Sequence, residues 1–376
     1  MKLEAFVAES IDEIEASAWD LCAGEFLFAR HGFLKALEQS GTVGASRSVL
    51  PRYLGLRDPA GRLVACAPAM LKWGSKREFG PEIQWLRAGS RAACFAWPKL
   101  QVGTPFYPVM GPRLLTHPDY AAPALRTALV QCLQKLARQQ TGLSVFNIMH
   151  TSPELAGQWA GTGALTSHEM RSVWYNPGHA SFADFVASLP ERKRHKISRE
   201  RRRVQQLGLQ FRALRGDEIT PGLLAQYYEG YARVCARYGG KPWLPASMFE
   251  QLRLHLPESM LLLAAFDGAE YVAGVFCLHN STTLFSQTWS AMRFYPDLCF
   301  EMICYWPMAY AIEHGLSCID AGLAGKHKTI RCFLEEPVLN VHWFFNQQLK
   351  ELAQAVLAAS ATGTTEERDV PGLNDV

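Results

Sequence analysis

The residues best suited to chemistry lie between Leu316 and Phe333. An apolar run ends at Asp320. Gly322 and Gly325 interrupt it, and Lys326, His327, Lys328 and Arg331 follow within a few positions. Glycine permits sharp bends and close backbone approach to a ligand, and a strand opening into a polar loop is where α/β proteins tend to place reactive groups. Asp320 or His327 can accept a proton, directly or through water. The backbone at Gly322–Gly325, with Lys328, can stabilise an oxyanion. Arg331 and Lys326 suit a phosphate or carboxylate. Glu301 and Tyr305 lie four apart on one face of a helical pattern and can face a cleft together. The competing readings are a solvated basic turn, a capped strand end at Asp320, and structural ion pairs for Glu301 and Arg331.

A second chemical feature is the run Glu191-Arg192-Lys193-Arg194-His195-Lys196-Ile197-Ser198-Arg199-Glu200-Arg201-Arg202-Arg203-Val204. Ile197, Val204 and Leu207 give a thin apolar seam, so a helix here shows basic residues around most of its circumference. Arg192, Lys193, Arg194, Lys196, Arg199, Arg201, Arg202 and Arg203 are the candidate polyanion contacts, against RNA phosphates or those of coenzyme A. A solvated charged helix is the alternative. Ser181 and Asp184 fit a capping box upstream, and Gly208 fits a helix stop.

The elements that must position these groups repeat. Strand, turn and return strand at Tyr53–Leu56, Asp58–Gly61 and Leu63–Leu71 are echoed by Leu262–Phe266, Asp267–Glu270 and Tyr271–Phe276. Phe106-Tyr107-Pro108 is echoed by Phe294-Tyr295-Pro296, and the segment Gly142–Asn147 by Gly315–Asp320. A helix with Leu125, Leu129, Cys132, Leu133 and Leu136 on one face precedes the first of these. A helix with Phe300, Ile303, Cys304, Met308, Ala311 and Ile312 on one face precedes the second, and Pro307 should kink it. Three echoes in the same order predict two copies of one α/β unit. Residues 11–40 read as helical, capped by Asp12 and Ser17, while 76–112 read as irregular, with Pro105–Pro112 either lining a rigid groove or forming a buried connector. The expected organisation is a first unit over 1–180, the basic connector helix over 181–208, a second unit over 209–358 and a disordered tail over 359–376.

Composition sets outer bounds. The chain has 376 residues, 48% hydrophobic and 19% charged, which suits two domains with sizeable cores. A net charge of +3 confines any nucleic-acid contact to a local patch. Ten scattered cysteines without a Cys-x-x-Cys pair argue against zinc ribbons and disulfide scaffolds, so no metal site is expected. No long apolar run or signal-peptide core occurs, and the expected location is cytoplasmic. Serine hydrolase, zincin and P-loop motifs are missing.

With these pieces together, the chain resembles the FemAB-like family of the GNAT acyltransferase superfamily, the bacterial peptidoglycan biosynthesis/recognition type. The resemblance runs from about Phe26 to Trp343 and is carried by Phe33–Gly41, Trp97–Leu100, Pro105–Leu115, the basic connector, Phe300-Glu301, Tyr305, Gly322, Gly325, His327-Lys328, Arg331 and Phe333. It implies tandem duplicated GNAT-like units, each a mixed sheet flanked by helices. It also implies amide formation between an activated acyl group and an amine, with no bound cofactor, so that Asp320 or His327 would take the amine's proton and Glu301 and Tyr305 would position the amine or act as acid. The implied donor is aminoacyl-tRNA, as in Fem-type relatives, or acyl-CoA, as in ordinary GNAT enzymes. The Q/R-x-x-G-x-G/A loop of the latter has no clean copy here, which favours aminoacyl-tRNA, with a small-molecule or peptide amine as acceptor. Tyr107 and Trp289 join Gly322, Gly325, Lys326 and Arg331 as substrate contacts. The chain departs from the family pattern at Val173, Cys299, Cys304, Trp306, Ala324, Lys326 and Cys332, which points to an altered acceptor or donor, or to lost chemistry. A non-catalytic binding protein on the same fold is the rival reading.

Overall fold

A computed structural model of the chain describes residues 2–74, 82, 85, 89, 97–159 and 162–361. The chain forms two compact units. One is Met1–Glu169 together with the stretch from Pro337, and the other is Met170–Glu336. The boundaries therefore differ from the expected 180, 208 and 358. The basic helix belongs to the second unit instead of standing as a connector, because its buried residues pack into that unit's core. A helix over Gln347–Ala361 covers the first residues of the expected tail, and the rest of that tail lies outside the described residues.

In the first unit, β1 (Glu4–Ala8), β2 (Val49–Arg57), β3 (Leu63–Lys72), β4 (Lys99–Val102) and β6 (Val145–Thr151) pair in that order, and β5 (Leu115–Thr116) sits on β3. All of these pairs are antiparallel except β4–β6, which is parallel. The turn after β2 forms as expected: the Asp58 carboxylate accepts from the Ala60 amide at 2.9 Å and Gly61 takes φ 81°. The helix Ala122–Gln139 buries Leu125, Leu129 and Leu133, with Cys132 and Leu136 half-buried beside them. Residues 11–40 contain two short α-helices, Ala16–Ala23 and His31–Gln39, split after Gly24 at φ 58°. The side-chain caps there are Ser10 and Glu15, in place of Asp12 and Ser17. Of the stretch expected to be irregular, Lys99–Val102 is strand, Pro105–Pro112 lies next to it, and most of 75–96 lies outside the described residues.

The second unit repeats the order. β8 (Gln210–Arg215), β9 (Met260–Asp267), β10 (Glu270–His279), β11 (Thr283–Ala291) and β12 (Cys318–Leu323) follow one another, with β11–β12 the parallel pair. Each unit is the mixed sheet with flanking helices expected of a GNAT-like unit. Two long strands absent from the sequence reading, β7 (Leu165–Tyr175) and β13 (Leu334–Phe344), carry the chain across the unit boundary. The end of β7 pairs with β12, and Leu339–Phe344 of β13 pairs with β6. The fifth strand of each unit thus gains a neighbour from the far end of that unit's own chain, Arg171–Tyr175 at the start of the second unit and Leu339–Phe344 in the returning segment of the first. The helical pattern around Pro307 is α over Leu298–Phe300, π over Glu301–Tyr305 and α again over Trp306–Glu313. Proline offers no N–H to the preceding turn, and the wider π turn absorbs the break that was expected as a kink.

Candidate functional site

The site is built around the end of β12 in the second unit. β11 and β12 pair only over Thr283–Phe285 against Cys318–Asp320, although β11 runs on to Ala291. Beyond Asp320 the register of β12 against β7 shifts, and Gly322 sits at φ 71°. A bulge of this kind frees main-chain groups from the ladder and re-aims side chains. Here the freed carbonyls of Ala321 and Leu323 accept from Lys328 Nζ at 2.6 and 2.8 Å. Lys328 is half-buried, with its ammonium turned inward, and burial pulls its pKa down to about 8. His327 beside it is pulled down to about 4, by burial first and then by the charges of Lys328 and Arg331. Its Nδ1 is buried and has no hydrogen-bond partner among the described residues. The imidazole is therefore neutral at neutral pH, with a ring nitrogen free to accept.

Asp320 is almost fully buried. One oxygen accepts from the Gly322 amide at 2.8 Å and the other from Arg171 Nη1 at 2.9 Å. Arg171 also reaches Glu336 at 2.8 Å, and Tyr175 donates to the same Glu336 at 2.7 Å. Burial pushes the Asp320 carboxyl above its usual range, while Arg171 opposes the shift. Asp320 accordingly fixes the bulge through the Gly322 amide.

The turn that follows β12 is the short helix Lys326–Thr329, with Gly325 at its start. Lys326 is exposed, and Arg331 is buried. Arg331 donates Nε and Nη2 to Glu200 at 3.0 Å each and Nη1 to the His327 carbonyl at 3.0 Å, and its guanidinium lies over the Phe300 ring at 3.1 Å. Tyr305 donates to the same Glu200 at 2.5 Å. Burial, then the hydrogen bond to Glu200 and its charge, raises the phenol's pKa. Burial also acts to raise Glu200, but the hydrogen bonds from Tyr305, Lys196 and Arg331 overcome it and leave Glu200 below the usual range. Glu301 pairs with Arg201 through contacts of 2.9–3.1 Å. Its carboxyl is raised by burial and held back by that arginine.

The structure thus gathers Asp320, Gly322, Gly325, His327, Lys328, Arg331, Tyr305 and Glu301 in one unit. Trp289 lies half-buried on the stretch of β11 without a β12 partner, packed on the same core. Tyr107 belongs to the first unit. It is 2% exposed in the first unit, with ring centroids 5.6 and 5.2 Å from Phe28 and Phe33, so the core reading of Pro105–Pro112 replaces the groove. Sequence reasoning missed Arg171, Glu336 and Glu200. Nothing around Arg171 marks it out. Glu200, however, falls on the Ile197–Val204 face of its helix, and a carboxylate on an apolar seam is a legible sign of a buried partner.

The basic helix, Glu191–Gln205, divides into two faces. Ile197, Glu200 and Val204 are buried. Lys196 pairs with Glu200 at 3.0 Å, Arg201 with Glu301, and Arg203 with Asp297 at 3.1 Å. Arg194 donates to the Ala187 carbonyl at 3.3 Å. Arg192, Arg199 and Arg202 are exposed and have no ion-pair partner among the described residues, and with His195 they form one outward stripe. Lys193 is half-buried, and its charge reaches Cys332. The eight expected polyanion contacts are therefore of two kinds, some free and some already committed. Among the described residues no helix is long and apolar enough to cross a membrane.

Three solved structures share the fold at low sequence identity. FemX covers 94% of this chain and 99% of its own, at TM-score 0.57 and 12% identity. The C-terminal domain of a putative lysylphosphatidylglycerol synthetase from Agrobacterium fabrum covers 93% and 99%, at TM-score 0.55 and 11% identity. L-PGS from Bacillus licheniformis covers 85% and 94%, at TM-score 0.53 and 9% identity. No curated protein sequence matches the chain. The FemAB-like sequence pattern, described as peptidoglycan biosynthesis/recognition, matches residues 10–371. Since that match spans nearly the whole chain, the protein belongs to the FemAB-like family.

Proposed function

We propose that the protein is an amide-forming N-acyltransferase that moves an aminoacyl group from aminoacyl-tRNA to the amine of a small metabolite or a peptidoglycan-type precursor. The observation that carries this reading is the family match over 10–371, joined by a site whose groups suit acyl transfer. The aminoacylated product in the name of the Agrobacterium fabrum neighbour points the same way.

The acceptor amine attacks the ester carbonyl of the donor, and its proton passes to His327 directly or through water. The neutral imidazole with a free Nδ1 suits that role. Negative charge on the tetrahedral oxygen is met by the Lys328 ammonium and the Gly325 main-chain amide, since the Gly322 and Ala324 amides already donate to Asp320 and Met170. Collapse breaks the ester C–O bond, and the departing ribose oxygen takes the proton that His327 accepted from the amine. Asp320 serves through Arg171 and the Gly322 amide as the group that holds the bulge in shape. No covalent enzyme intermediate is required, since the donor is already activated.

The test is a transfer assay with bulk tRNA charged with radiolabelled amino acids, a cell extract as source of acceptor, and a parallel panel of acyl-CoAs. Ribonuclease-sensitive transfer into a stable small amide is the expected result. Transfer only from a CoA ester would replace the donor. Failure of every donor, with ligand binding retained, would establish a binding protein instead.

A further inference from the structure

The basic helix has an inward face with its own chemistry. Glu200 is a buried carboxylate with four hydrogen bonds from three side chains. Oε1 takes Lys196 at 3.0 Å and Arg331 Nη2 at 3.0 Å, and Oε2 takes Tyr305 at 2.5 Å and Arg331 Nε at 3.0 Å. These fill the sites a carboxylate offers. The partners are unequal in access. Arg331 and Tyr305 are buried, whereas a third of the Lys196 side chain is exposed. The Glu200 charge is already balanced by Arg331, so Lys196 is the surplus cation. It is also the partner a solvent-borne anion can reach. Arg331 in turn donates to the His327 carbonyl, so what holds Arg331 holds the turn bearing His327 and Lys328. The charge of Lys193, one turn before Lys196, acts on Cys332 just beyond that turn.

Resting on the aminoacyl-tRNA reading above, we infer that Glu200 is a positioning residue that links docking of a nucleic-acid backbone on the basic helix to the Lys326–Arg331 turn. A phosphate arriving along Arg192, Arg199 and Arg202 draws Lys196 away from Glu200. Oε1 then serves Arg331 alone, the guanidinium pair tightens, and the turn is held more firmly when the donor is in place. Charge stays balanced throughout: the phosphate takes Lys196, and the carboxylate keeps Arg331.

The experiment is amide hydrogen exchange on the full chain, free and with saturating unfractionated deacylated tRNA, in parallel with a binding titration. A second arm uses coenzyme A as the phosphate source. Exchange over 326–333 should slow about tenfold with tRNA, the scale of one charge-assisted hydrogen bond. Glu200→Gln should still bind tRNA but show no slowing. Should that variant fold poorly, Lys196→Ala, at a half-exposed position, gives the independent check. Its turn should exchange as slowly without tRNA as the parent's does with it, and tRNA should add nothing. Slowing by coenzyme A but not tRNA would overturn the nucleic-acid backbone as the trigger. tRNA that binds without slowing the turn overturns the link and leaves the proposed donor standing. Absence of tRNA binding overturns the donor and the link together.

Discussion

Lys328 donates to two main-chain carbonyls and has no carboxylate within ion-pair distance among the described residues. Its pKa near 8, against an ordinary 10.5, makes folding favour the neutral amine. The unfolded chain therefore binds more protons between those values, and stability rises with pH across that window. Relative to Lys328→Met, the parent should gain up to about 3 kcal/mol as pH goes from 8 to 10.5. Paired thermal melts at pH 7.5 and 10 check this, and a constant difference would refute it. At this scale the sequence was informative where residue type and a glycine break coincided, as at Asp320, Gly322, His327 and Lys328. It was silent on Arg171, because an arginine inside a strand looks exposed until the partners that bury it, Asp320 and Glu336, are placed beside it. It misled at Tyr107, where an aromatic between prolines reads alike as groove lining or core.

At the scale of elements, the basic helix shows how composition and docking carry different information. The charge run was legible, but the partition of its cations was not, since pairing with Glu301 and Asp297 joins segments about a hundred residues apart. Reversing the outward stripe with Arg199→Glu and Arg202→Glu should weaken tRNA binding and flatten the slope of log affinity against log salt by about 1 to 2. The melting temperature should stay near the parent's. Arg201→Ala should do the opposite. It strands the buried Glu301 and costs about 2 kcal/mol of stability, with little change in salt slope. A filter-binding series across salt concentrations, run beside thermal melts, separates the two. The hairpins and amphipathic helices were legible from turn residues and periodicity. β7 and β13 were not, because buried polar residues such as Ser167, Asn340 and His342 replace the apolar alternation that marks a strand.

At the scale of the whole molecule, the duplication was visible in three echoes, but the return of β13 to the first unit was not, since it leaves no local signature. It has an unequal effect on the two units. The second is continuous over Met170–Glu336, whereas the first needs Val341 and Trp343 of β13 for its core. A fragment covering 170–336 should fold cooperatively by circular dichroism, and one covering 1–169 should not until 337–361 is supplied. Independent folding of 1–169 would count against this division.

The placement of β13 also sets an order of events during synthesis. β6 leaves the ribosome with one edge complete against β4 and the other waiting for a strand almost two hundred residues downstream. The N-terminal half of this protein is thus the later to mature. During that interval its apolar β6 edge is a surface for chaperones to guard.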